Sequence, residues 1–233
     1  MKILLSWSSG KDSAWALHVL RRSRPGAVAA LLTTLNADVS RVAMHGVRQH
    51  VLEAQAHAAR LPLRVVHIPN PCSNEIYERR MGAAVADAVA DGFTHVAFGD
   101  LFLQDIRRYR ERQLAGTGLE PLFPLWDLPT RALAEQMVDA GLRAHLACVD
   151  TRVIAPAFVG RQFDRRLLRD LPPGVDPCGE NGEFHTCVHA GPVFGEPIAI
   201  QRGERVLRDH RFQYVDLMEA GDPRSLERLR PAS

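Results

Sequence analysis

The sequence predicts an α/β protein: a doubly wound, five-stranded parallel sheet followed by a smaller C-terminal α+β domain. Three observations predict it. Short, nearly continuous apolar runs recur at 2–7, 28–34, 63–68, 95–100 and 145–150, as buried parallel strands do. Helical periodicity fills the stretches between them. After Asp150 that alternation stops and Gly/Pro-rich sequence takes over.

Each element follows from its residues. "KILLSW" (2–7) is the first strand, and "DSAWALHVLRR", from about Asp12, is the first helix. In "GVRQHVLEAQAHAARL" the residues Val47, Val51, Ala54, Ala58 and Leu61 share one helix face. "EIYERRMGAAVADAVADG" does likewise through Met81, Val85 and Ala88, with Gly92 placed to stop it. "TRALAEQMVDAG" takes Thr130 as N-cap and Gly141 as its stop. Strand–helix alternation over 1–150 marks the first domain, and right-handed crossovers put its ligand site at the C-terminal strand ends.

Residues 151–220 are read as the second domain. "AFVGRQFDRRLLRDLP" reads as a helix and "LPPGVDPCGENGEFHTCVHAGPVFGEP" as a long loop. "IAIQRGERVLRDHRFQYVDL" offers strands with "RGE" as a hairpin turn, and 221–233 reads as a mobile tail.

Composition narrows the function. The 233 residues are 46% hydrophobic and 24% charged, enough for a substantial core. No apolar run approaches the roughly 18 residues of a membrane span, and "MKILL" is short for a signal-peptide core. Four cysteines without a CxxC pair fit a reducing cytoplasm. A net charge of +2 argues against a nucleic-acid partner. Of 29 basic residues only Lys2 and Lys11 are lysine.

Lys11 sits in "SWSSGKDS" (6–13), a strand-to-helix turn at the C-terminal edge of the sheet. Free N–H groups and the helix dipole favour an anion there, by about 0.3–1 kcal/mol. Lys11 adds a cation, Gly10 allows close backbone approach, Ser8, Ser9 and Ser13 add hydroxyls, and Asp12 can hold Mg²⁺ through oxygen. The segment lacks the longer Walker loop GxxxxGK[ST]. A capped turn without ligand is the competing reading.

"SSGKDS" resembles the SGGxDS pyrophosphate loop of the PP-loop ATP pyrophosphatases, with Ser9 in place of the first glycine. "HVAFGDLFLQDIRRYRERQLAGTGLEPLFPLW" (95–126) and "CGENGEFHT" (178–186) resemble the diphthine–ammonia ligase family of that group, in the same order along nearly the whole chain. The resemblance implies a PP-loop/HUP-like fold with strand order 3-2-1-4-5. It also implies ATP-dependent amidation: a carboxylate attacks the α-phosphate, pyrophosphate leaves, and ammonia displaces AMP from the acyl-adenylate. Cofactors would be ATP and Mg²⁺. The acceptor would be protein-borne diphthine or a small carboxylate, and a homodimer is compatible with it.

On this reading Ser8, Ser9, Gly10, Lys11, Asp12, Ser13, Thr34 and Gly99 bind ATP, and Asp12 and Asp100 hold the metal. Lys11, Asp12, Asp100, Glu180, Glu183 and His185 form the catalytic set, with His185 able to accept a proton near neutrality. Alternatives stand beside these assignments. Asp100 could simply cap the following helix, and the Glu/His loop could be solvated. "TTLN" (33–36) and His45–Gly46 are nucleotide contacts or plain strand-end loops. "RRYRER" (107–112) is favoured as a solvated face, and Trp126 lines the cleft or the core. A PP-loop enzyme acting on RNA and a non-catalytic adenine-nucleotide sensor are the other functional readings.

Overall fold

The computed structural model describes residues 1–221 except Val39, Ala43 and Met44, together with Pro223. The tail read as mobile otherwise lies outside the described residues. Two sheets organise the chain.

The first is built on β1 (Ile3–Ser6), whose Ile3, Leu4 and Leu5 are fully buried. Each contributes about 1.5–3 kcal/mol by leaving water. β1 pairs in parallel with β2 (Val28–Asn36) on one side and β5 (His95–Ala97) on the other. β2 pairs with β4 (Leu63–Ile68), and β5 with β6 (Glu120–Leu122). The five parallel strands therefore run β4-β2-β1-β5-β6, the expected 3-2-1-4-5 order. A two-residue β3 (Arg41–Val42) adds an antiparallel pairing at the end of β2.

Helices cover both faces. α1 (Lys11–Ser23) and α2 (Gln49–Ala58) bury Leu17, Leu20, Val51 and Leu52 in the larger core. α3 (Asn74–Ala90) and α4 (Gln104–Leu114) lie with a smaller cluster around Leu4, Leu32, Val96 and Phe98. α5 (Thr130–Asp139) leads into the second sheet. Ser73 caps α3, and Gly92 and Gly141 adopt the positive φ that ends α3 and α5.

The second sheet is antiparallel, ordered β8-β7-β10-β9, from β7 (Arg143–Asp150), β8 (Phe184–Ala190), β9 (Ile200–Arg208) and β10 (Phe212–Glu219). This corrects the strand read at 145–150. It sits inside the second sheet, and the fifth parallel strand is β6, whose three residues with one proline carry too little apolar signal to read. β8 also emerges from the stretch read wholly as loop.

The helix read across 157–172 is a short 3₁₀ turn (Pro156–Phe158) and α6 (Arg165–Asp170), capped by Asp164. Gly160 at φ +81° separates them, and the chain beside it bonds to β7 instead. The hairpin turn is not Arg202–Glu204, which lies within β9. It is the three-residue loop Asp209–Arg211, in which Asp209 and His210 both take positive φ.

The sheets share one core. Trp7, Leu17 and Val51 belong to the same buried cluster as Met137, Leu146, Phe163, Phe184 and Val188. Buried polar groups fix the seam: Asp216 of β10 accepts from Arg41 and Arg48, at 3.0 and 2.6 Å. Gln55 of α2 donates to the carbonyls of Ser9 and Val188 and accepts from the Trp7 indole.

Candidate active site

At the C-terminal end of β1 the chain turns sharply into α1. Ser9 takes φ +69°, a left-handed conformation that favours glycine. This turn points the Ser9 carbonyl down to Gln55 and to the Val188 N–H, at 3.1 and 2.9 Å, so the loop is anchored to β8. Ser9 itself is fully buried, and its Oγ has no hydrogen-bond partner. It therefore shapes the loop from below. A Cβ on Gly10 would lie 2.7 Å from the His45 ring. One on Gly99 would lie 2.9 Å from the Asp12 and Ser13 backbone, so glycine lets the end of β5 meet the start of α1.

Above this frame lies a polar cavity of about 420 Å³. Ser8, Lys11, Asp12, Ser13, Gly99, Asp100, Glu180 and His185 all border it, with His45, Arg110 and Thr186 beside them. Three segments far apart in sequence thus converge, as the motifs led one to expect. Thr34 is not on this wall. It borders an adjoining apolar chamber of about 600 Å³, which shares Ser6, Ser8, Phe98 and Arg110 with the polar cavity. Glu183 borders neither. Its carboxylate accepts from Asp176 N and Asn181 Nδ2, both at 3.0 Å, and so holds the 176–183 loop together.

Lys11 is 2% exposed. Its ammonium pairs with Asp12 at 2.8 Å, donates to the Cys178 carbonyl, and lies 5.4 Å from the Phe184 ring centre. Burial opposes its charge most strongly, but Asp12, Cys178 and Glu180 together outweigh that and raise its pKa, keeping it protonated. The Lys11 N–H is also committed, to Thr186 Oγ1 at 3.0 Å.

The other charged groups are tuned by burial. Glu180 accepts from Leu101 N at 2.8 Å, yet desolvation, with Asp12 and Asp100 nearby, lifts its pKa to about 7. Desolvation also raises Asp100, against the opposing pull of Arg110. Asp100 does not cap α4, whose N-cap is Leu103.

His185 and His45 pack ring against ring, with centres 4.7 Å apart and planes tilted by 42°. Burial pushes His185 down to about 3, with its neighbour His45 and Lys11 adding to the fall, and His45 down to about 4. Both rings are neutral at pH 7, which corrects the expectation that His185 titrates near neutrality. The Thr186 carbonyl can only accept, so His45 carries its proton on Nδ1, 2.9 Å away.

Arg110 is the residue that sequence reasoning missed. Within "RRYRER", Arg107 bonds Glu111 and lies over Phe123 and Trp126, and Arg108 pairs with Asp105. Those two fit the solvated-face reading; Arg110 alone of the four borders both cavities. Its helical spacing of four from Ile106 and from Leu114, which also border the cavities, was the available signal. Trp126 packs edge-on to Phe123 and borders neither cavity.

The donor set suits Mg²⁺ arriving with a triphosphate. Asp12 and Asp100 offer hard oxygens, and Asp100 Oδ2 is buried without a hydrogen-bond partner. Among the described residues no group of three metal-ligating side chains forms a site by itself. No helix among them is long and apolar enough to cross a membrane.

Comparison with known proteins agrees with this arrangement. The family model for the diphthamide synthase C-terminal domain matches residues 129–219, from just before α5 to the end of β10. The diphthine–ammonia ligase of Rattus norvegicus is 25% identical over 238 residues, covering 89% of this chain and 85% of the relative. That of Homo sapiens is 24% identical over 231 residues with the same coverage. That of Danio rerio is 32% identical over 130 residues, covering 50% of this chain and 48% of the relative. Residues 129–219 thus match the diphthamide synthase C-terminal domain, and along most of its length the chain is similar to the diphthine–ammonia ligases, in line with the arrangement of the first sheet.

Proposed function

We propose that the protein is an ATP-dependent amide ligase that activates a carboxylate as an acyl-adenylate and amidates it with ammonia. The observation that carries this reading is convergence. Ser8, Lys11, Asp12 and Ser13 of the loop, Asp100, Glu180 and His185 border one cavity, so a phosphate cradle faces groups able to manage an amine. The parallel sheet serves the nucleotide, and the "CGENGEFHT" loop brings Glu180 and His185 to the same cavity for the amination step.

In the first step a carboxylate oxygen bonds to the α-phosphorus, the bond to the β-phosphate oxygen breaks, and pyrophosphate leaves with the electron pair. Ser8, Gly10 and Ser13 frame the phosphates at the start of α1, where the dipole favours negative charge. Lys11 acts from beneath: burial raises the Asp12 pKa and the Lys11 charge opposes that rise, while its bond to Cys178 locks the loop, so donors are positioned before the reaction begins. Bound Mg²⁺, held by Asp12 and Asp100, supplies charge neutralisation on the phosphates. Thr34, at the end of β2, faces the adenosine.

In the second step ammonia bonds to the acyl carbon, AMP leaves with the electron pair, and the nitrogen gives up a proton. Glu180, poised near 7, is the base for that proton. His185, neutral, holds the nucleophile by hydrogen bonding through its buried, unpartnered Nε2.

The test is product analysis with ATP, Mg²⁺ and ammonium against a panel of carboxylates. AMP and pyrophosphate in equal amounts, dependent on both ammonia and acceptor, support the reading. ADP and phosphate, or nucleotide binding without turnover across the panel, overturn it.

A further inference from the structure

The apolar chamber is far larger than the strand ends where a nucleoside would sit. Its wall includes Tyr77 to Ala90 of α3, which corresponds to about 20 Å along the helix axis. Met81, Val85, Val96, Phe98 and Leu114 are among its apolar lining, and Gly82 and Ala86 keep the α3 side shallow and open. At about 600 Å³ it falls within the roughly 300–1,000 Å³ of small-molecule sites.

Charge on this wall is confined to one residue. Among the described residues that border the chamber, Arg110 alone is charged, and it stands where the chamber opens into the polar cavity. Its guanidinium lies against the Phe98 ring, 4.9 Å from the centre. Its Nε forms an ion pair with Asp100 Oδ2 at 3.5 Å, too long and misaligned for a hydrogen bond, and so is buried without a hydrogen-bond partner. The other cation of the polar cavity, Lys11, is already committed to Asp12 and Cys178. A planar fork with an unsatisfied donor at the mouth of an apolar chamber matches a carboxylate with an apolar body.

We propose that the chamber and Arg110 form the acceptor site. The substrate is a carboxylic acid whose apolar body lies between α3 and α4, and whose carboxylate is held by Arg110 at the edge of the nucleotide cavity. This rests on the ligase reading above and names its substrate class. Arg110 is a specificity-determining residue: it places the attacking oxygen beside the α-phosphate and rejects uncharged analogues. Adenosine, at the Thr33–Thr34 end, leaves the α3–α4 length of the chamber for the acceptor.

The experiment uses octanoate as probe, with octanol and butyrate as controls, on protein with and without Mg²⁺ and α,β-methylene-ATP, followed by calorimetry. Octanoate is expected to bind at least tenfold tighter than either control. Arg110→Gln should weaken octanoate at least tenfold while leaving the affinity for α,β-methylene-ATP within about twofold. Ala86→Trp, on an exposed part of α3, should block octanoate and spare the nucleotide. Equal binding of octanol and octanoate, or no octanoate binding, overturns the proposal. So does an Arg110→Gln variant that loses the nucleotide instead, because Arg110 would then serve the phosphate. If α,β-methylene-ATP fails to bind the unaltered protein, the ligase reading falls, while octanoate binding without nucleotide still decides the acceptor site.

Discussion

Lys11 and Cys178 stand 167 residues apart, and the ammonium of the first donates to the backbone carbonyl of the second. This bond joins the phosphate loop to the start of "CGENGEFHT". It turns the lysine from an exposed phosphate hook into the buried tie between the two halves of the candidate site.

Lys11→Met should therefore lower both activity and stability. Leaving the Cys178 carbonyl and Asp12 without their charged partner costs about 1–3 kcal/mol. Loosening the loop should cut pyrophosphate release by about 10²-fold. Urea unfolding and a pyrophosphate assay on the same preparation check both. Unchanged turnover would remove Lys11 from the site.

Ser9→Gly should stabilise the protein. The substitution relieves a left-handed residue, worth about 1–2 kcal/mol, and removes a buried hydroxyl without a partner. Glycine's greater freedom in the unfolded chain returns roughly 0.5–1 kcal/mol of that. A rise of about 1–2 kcal/mol in urea is expected; a fall would mean that the hydroxyl has a role the fold does not reveal.

Glu180 should set the pH dependence of amide formation. It accepts a proton only when ionised, so its contribution grows as pH rises through about 7. Free ammonia also rises with pH, so the informative quantity is the ratio of unaltered protein to Glu180→Gln. That ratio should climb through pH 7 and level off, reaching about 10²–10⁴. A pH-independent ratio would assign the proton to another group.

His45 and His185 should make the protein acid-sensitive. Their folded pKa values, about 4 and about 3, lie below the ordinary 6.5. Between those limits the unfolded chain binds protons that the folded one does not, so stability falls as pH drops below about 6.5. The loss from pH 7 to 5 should be of the order of 1 kcal/mol per histidine. His185→Gln should flatten the slope by one proton, which urea midpoints across pH 5–7 measure directly.

Much of this was legible in the residues themselves. The apolar runs gave four of the five parallel strands, because a strand buried on both faces leaves a continuous apolar signature, and the family resemblance implied their order. Gly10, Lys11, Asp12 and Asp100 stood out by their placement at strand ends, whereas Glu180 and His185 stood out only through the family resemblance of their loop. Glu183 was not separable from Glu180. Both stand in the same short motif, and only the fold shows one carboxylate at the cavity and the other inside its loop.

What the sequence alone determined was local: which stretches bury on both faces, where glycine must stop or turn the chain, and which loop can meet phosphate. The tertiary structure decided the rest. It put β7 in the second sheet, because the partners of a strand lie elsewhere in the chain. It made Lys11 a buried tie, turned both histidines neutral and tuned Glu180 to about 7, because desolvation depends on what packs around a group. It also explained Ser9. A serine reads as one more hydroxyl in the loop, and only the backbone shows that the position is left-handed, where glycine would fit with less strain.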